Sequence, residues 1–357
     1  MPKLPHFRHS TGNLLLRDKE KNSMNNTMNR FMAIHTDDEK NGDILGKYMY
    51  YSLPKLIIKA ERVREICEQI GFPVTVNENI SVTDAFRSAT GEIHDRIEET
   101  YGSEIKVCRI YCRDNKRVGA ESMSRELVEE TLYETTNTYR KLANITLDKN
   151  SGEMVLSDVD YSSDRNILGY FKQAERLFKL YQDCIGNRSI ETMAEKYISS
   201  MHAIGISARG HHYFIPKAYM HGISLLEDFM ELIGNENLFT YSTGRDSKYI
   251  SINSMYVADD AKQRGKMSRE FYQDMGREIA EYQSRILRLI QSGNSSQKIL
   301  DRWELKIQAL EGKKREYEDI LKQDLSGVDE EFTMLRDMVG QFKMSVRRSQ
   351  VFGAAAA

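Results

Sequence analysis

Two stretches near the C-terminus repeat apolar residues at alternating steps of three and four. In the first, Tyr272, Met275, Ile279, Tyr282, Ile286 and Leu289 mark one face of a helix. In the second, Leu300, Trp303, Ile307, Leu310, Tyr317 and Leu321 do the same. The polar run from Gln291 to Ser296 between them supplies a turn. Folding the chain there sets Leu289 against Leu300, Ile286 against Trp303, Tyr282 against Ile307 and Ile279 against Leu310. Each step forward is matched by an equal step back, which predicts an antiparallel coiled-coil hairpin. Lys314 falls opposite Met275, where its stem would lie along the seam with its charge in water. After a break at Leu325-Ser326-Gly327, Val328, Phe332, Leu335, Val339, Phe342 and Val346 predict a third helix able to share the seam.

The earlier chain alternates between the two periods. Residues 47–58 read as a strand interrupted by Pro54, and 59–70 as a helix ended by Gly71 and Pro73. Ser81 caps a second helix that the stripe Ala85, Phe86, Ala89, Ile93 and Ile97 carries to Ile97. From Glu104 the pattern turns to strands, with a hairpin about Asn150-Ser151-Gly152; Arg125 to Glu134 fits either period. Asp164 and Ser189 are candidate caps for two further helices, and Gly186 closes the first of these. A strand or hairpin at 206–216, a helix at 217–233 and strands at 238–243 and 248–257 follow.

The expected class is α+β, with mixed or antiparallel sheets packed with amphipathic helices. The expected division is a basic disordered leader at 1–42, a globular region at 43–257 (subdomains 43–160 and 161–257), a helical arm at 258–350 and a linker-like tail at 353–357.

Composition narrows the function classes. The 357 residues are 40% hydrophobic and 29% charged, with a net charge of -2, so any attraction to nucleic acid must come from a local patch. No apolar run reaches the roughly 20 residues of a membrane span, and four cysteines suit a reducing compartment, so a cytoplasmic location is expected. Cys108 and Cys112 lie on a predicted strand that would hold their sulfurs about 13 Å apart, too far for a shared metal.

Candidate chemistry is sparse. His202, His211, His212 and His221 are the one local concentration of imidazole, yet on a strand His211 and His212 face opposite ways. Asp158 and Asp160, with Asp164, invite a divalent cation but lack the glycine and glutamate of a calcium loop. No phosphate loop, dinucleotide fingerprint, nucleophile elbow or zinc-protease helix occurs. Arg264, Lys266 and Arg269 lead into the hairpin, and Lys313, Lys314 and Arg315 return beside them at its root. Such a cluster would serve phosphate contact, although Glu270, Glu316, Glu318 and Asp319 offset it.

The run from Val82 to Thr90, the segment Gly210-His-His-Tyr-Phe-Ile-Pro216 and the trailing helices resemble an uncharacterised protein family of bacterial phages and mobile elements. The resemblance spans about residues 45–345 and implies a bacterial host cell as the setting, with no assigned activity and no catalytic residues. The first expectation is therefore a non-enzymatic protein without cofactor that binds itself or a host protein through its helical arm, in replication or counter-defence. A nucleic-acid binder using the leader and the hairpin root is the second, and a metal-dependent hydrolase the third.

Overall fold

The computed structural model describes residues 33–34, 44–101, 104–115, 121–132, 137–206 and 210–355. Apart from Ala33–Ile34, the expected basic leader lies outside the described residues. In chain order the elements begin with strands β1 (Ala33–Ile34), β2 (Ile44–Ser52) and β3 (Ile57–Lys59), then helices α1 (Ala60–Ile70) and α2 (Val82–Gly91). Strands β4 (His94–Tyr101), β5 (Glu104–Asp114), β6 (Ser122–Leu132), β7 (Thr138–Asp148) and β8 (Met154–Ser157) precede α3 (Ile167–Tyr181), β9 (Cys184–Gly186) and α4 (Asn187–Ser200). The chain continues through β10 (Ile204–Gly205), β11 (His211–Pro216), α5 (Gly222–Asn235), α6 (Phe239–Thr243) and β12 (Ser251–Ala258). It closes with α7 (Ala261–Gln291), α8 (Gln297–Leu321) and α9 (Asp329–Ala355), so the linker-like Gly353 continues α9.

These elements form two units, and each draws on separated stretches of the chain. The first takes the residues up to Ser52, then Ile198–Ser224 and Ser251–Ala357; the second takes Leu53–Tyr197 and Leu225–Ile250. Where the sequence pattern divides 43–257 from 258–350, the structure instead gives the strands β2, β11 and β12 and the helices α7 to α9 one core. Backbone pairing decides this: β2 lies between β12 and β11 in the antiparallel sheet β1-β12-β2-β11-β10, and its two partners stand on either side of the second unit's segment Leu225–Ile250 in sequence.

In the first unit, Leu45, Tyr48, Phe214 and Val257 bury with Met267, Phe271 and Met275 of α7 and with the apolar residues of α8 and α9. Gly46 is required where β2 passes β11, because a Cβ there would stand 2.1 Å from the carbonyl oxygen of Ile215. The first turn of α7 is capped by Asp260, whose Oδ1 accepts from the amide of Gln263 at 2.9 Å.

The second unit holds the antiparallel meander β4-β5-β6-β7-β8 and the short pair β3-β9. One face of the meander buries Ile110, Cys112, Leu127, Ala143 and Ile145 against Phe86 and Ala89 of α2 and Phe171, Leu177 and Phe178 of α3. At the β7–β8 hairpin, Asp148 Oδ1 accepts from the amides of Asn150 (2.8 Å) and Ser151 (2.9 Å), and Gly152 takes φ 73.

Several local expectations are corrected here. The second helix ends at Gly91, and His94 to Tyr101 form β4, because they pair with β5 along their length. The spacing from Ile93 to Ile97 suits both periods, so pattern could not arbitrate. Arg125 to Leu132 belong to β6. Asn166 caps α3 in place of Asp164, accepting from the amide of Gly169 at 2.9 Å. Gly186 ends strand β9, beyond the close of α3 at Tyr181. α4 begins at Asn187, ahead of Ser189. Residues 239–243 are helical, set by Asn237, whose Oδ1 receives the amides of both Ile57 and Phe239 at 3.0 Å.

Candidate functional site

The predicted seam residues are brought together, and the third helix joins them. Met275, Ile279, Ile286, Leu300, Trp303, Ile307, Leu310, Tyr317 and Leu321 are buried, and Tyr272, Tyr282 and Leu289 pack against the same core half-buried. The ring of Phe271 lies 5.0 Å from that of Tyr317. Tyr282 meets Trp303 edge-to-face at 5.2 Å, a pairing worth about 0.5 to 1.5 kcal/mol beyond its buried area. From α9, Phe332, Leu335, Val339, Phe342 and Val346 fill the space between. Ion pairs step along the α8–α9 contact: Lys314–Asp329 at 2.9 Å, Glu311–Arg336 at 2.7 Å and Glu304–Lys343 at 2.8 Å.

Lys314 departs from expectation. Its charge is not left to water alone: the side chain is 14% exposed and its ammonium sits 2.9 Å from both Glu318 and Asp329. Burial works to lower its pKa, but hydrogen bonds to the two carboxylates outweigh that and raise it. A long cation inside a helical seam is thus held by charge from the third helix, which the two-helix pattern could not supply.

The basic root is less basic than its sequence. Arg264 Nε lies 2.7 Å from Asp259, and Lys313 lies 3.7 Å from Asp274. Together with Lys314, half of the six predicted cations face carboxylates. Lys266 is half-buried; Arg269 and Arg315 are exposed, and these two have no ion pair among the described residues.

The histidines and aspartates are separated by what they touch. His211 stacks on Tyr51 with centroids 4.2 Å apart, whereas His212 Nδ1 hydrogen-bonds the Tyr48 hydroxyl at 2.5 Å on the opposite face of β11. Burial, with His211 nearby, lowers the His212 pKa; burial lifts Tyr48 to about 12. Asp158 accepts from Asn144 at 2.8 Å and Lys141 at 3.1 Å, and Asp160 from Arg140 at 2.7 Å and from Ser162. Those bonds hold the Asp160 pKa down at about 2. Among the described residues, no group of three or more His, Cys, Asp or Glu is placed to hold a metal ion. All four cysteines are buried thiols, and burial pushes Cys112 up to about 12.

One cluster escaped the sequence reading. His202 follows the last turn of α4 with φ 52, a left-handed conformation that non-glycine residues seldom take. Its Nδ1 contacts the Glu316 carboxylate, its ring lies 5.0 Å from Tyr219, and its carbonyl accepts from the Tyr317 hydroxyl at 2.8 Å. The group ties the end of α4 to α8. His202 and Glu316 are 114 positions apart, so no local pattern could have joined them.

This architecture is that of an α+β protein with antiparallel sheets and long helices, and among its described residues no helix is long and apolar enough to cross a membrane. The chain belongs to a family of unknown function, DUF6744, whose model matches residues 44–349. No curated protein and no solved structure matches it.

Proposed function

We propose that the protein is a non-enzymatic interaction module of a phage or mobile element, which assembles with itself or a host protein through α7, α8 and α9 and acts in replication or counter-defence. In this reading the three helices form a coiled-coil arm, with α7 and α8 as its antiparallel hairpin. The observation that carries it is the changing character of the bundle along its length. Up to the middle of α7 the helix packs on the sheet of its own unit, with Asp274 and Arg277 against Gly205 of β10. Farther along, Ile286, Leu300, Trp303, Phe342 and Val346 bury among the helices. A helical arm whose core is satisfied by its own members keeps its outer faces for recruitment. On this half Leu287, Leu305 and Met344, one from each helix, are 46%, 66% and 54% exposed.

The test is absolute molar mass by light scattering, with absorbance at 260 and 280 nm read across the same peak, on the wild type and on Leu287→Glu/Leu305→Glu/Met344→Glu. We expect a discrete assembly with a protein-like ratio that the triple variant dissociates while its circular dichroism is unchanged. A mass of 41.3 kDa at every concentration for both proteins sinks self-assembly. A nucleic-acid-like ratio abolished by high salt points instead to Arg269 and Arg315 at the root.

A further inference from the structure

The second unit contains a cleft of about 810 Å³, within the size range of small-molecule sites. Two helices present stripes to it at helical spacing. From α2 come Asp84, Arg87, Ser88 and Gly91; from α4 come Arg188, Ser189, Thr192, Met193 and Lys196. Lys55 and Glu92 stand at its edge, and Leu56, Val76, Ile80 and Ile185 give it an apolar wall.

Its charges are unequal in what they are free to do. Both carboxylates are already engaged. Glu92 is buried and bonded by Lys55 at 3.3 Å and by Arg245, while Asp84 accepts from Ser81 at 2.7 Å and lies 3.8 Å from Arg87. Arg188 and Lys196 are exposed, and neither has an ion pair among the described residues. In a chain of net charge -2, the cleft therefore holds two uncompensated cations on one helix face.

A guanidinium, a hydroxyl and an ammonium that line one volume suit phosphate oxygens, which accept hydrogen bonds in several directions at once. The apolar wall beyond Met193 suits a flat, weakly polar ring.

We propose that this cleft binds a nucleoside diphosphate, with its phosphates at Arg188, Ser189 and Lys196 and its nucleoside over Val76, Ile80 and Met193. The proposal stands independently of the helical arm.

Isothermal titration of the intact protein with ADP, GDP and UDP tests it, with pyrophosphate and adenosine as controls. We expect at least one diphosphate to bind more than about tenfold tighter than either control. Arg188→Glu/Lys196→Glu should weaken it by at least about tenfold, and the milder Arg188→Gln/Lys196→Gln by less. Both changes are on exposed helix positions, so circular dichroism should be unaltered. Arg302→Glu, at an exposed position of α8, should bind as the wild type does. Absence of binding by all three diphosphates at about 1 mM overturns the proposal, as does an affinity indifferent to both double variants. Pyrophosphate binding as tightly as the diphosphates overturns the nucleoside half of it.

Discussion

The helices α7 to α9 and the meander β4 to β8 are both amphipathic, yet they reach burial by different routes. In α7 the residues that bury together, Met275, Ile279 and Ile286, recur within a few turns of one helix, and their partners on α8 follow after a short loop. In the meander, Ile110, Leu127 and Ile145 become neighbours only when three strands align, and the face they make is closed by Phe86 and Phe171 from helices on either side of it in sequence. A helix displays its apolar face before it meets anything. A strand's face depends on register, and one slipped residue would reverse it.

The sharpest way to break this contrast is Ile286→Asp. Ile286 is fully buried in the helical core, and an unpaired carboxylate there should cost about 4 kcal/mol. Hydrogen exchange should show protection lost along α7 to α9 and kept in β4 to β8. Unchanged melting would mean that the seam is not closed as described.

Leu127→Ala is the complementary change. Leu127 is fully buried beside the bulge between Leu127 and Val128, and truncation should cost about 3 kcal/mol. Here the loss of protection should fall on the meander and α2 while α7 to α9 stay protected. Loss spread equally over both units would show that they unfold as one.

The smallest effect is expected from pH. The His212 pKa is lowered in the folded state, chiefly by burial, so below the unfolded value of 6.5 the unfolded chain binds the proton more readily. Stability should therefore be constant above that value with respect to this group and should fall as pH drops from about 6.5 through the folded pKa. His212→Gln should reduce that acid sensitivity, measured as the difference in urea midpoint between pH 7 and pH 5. An undiminished difference would assign it to groups other than this ring, whose ionisable neighbours among the described residues include Tyr48, Tyr50 and His211.

Much of the fold was legible. The seam on α7 and α8, the stripe of α9, the hairpin at Gly152 and the alternation of β5 follow from spacing and turn chemistry carried by adjacent residues. The candidate sites were less so. His211 and His212 facing apart was readable from strand geometry, but the partners of Asp158 and Asp160 were not, because Arg140, Lys141 and Asn144 approach from another strand. The stripe Arg188, Ser189, Thr192 and Lys196 looks locally like any solvated helix face. Only its position across a cleft from α2 sets it apart.

The sequence by itself determined the periods of the long C-terminal helices, the Ser81 cap and the Gly152 turn, and many of the residues destined for burial, since those depend on backbone geometry and hydrophobicity acting over a few positions. Only the tertiary structure decided that β2 pairs with strands far along the chain, that the charge of Lys314 is met by α9, that His202 reaches Glu316, and that two polar helix faces enclose a cleft. Each of these joins groups distant in sequence, and their interaction energies exist only once the chain has closed around them.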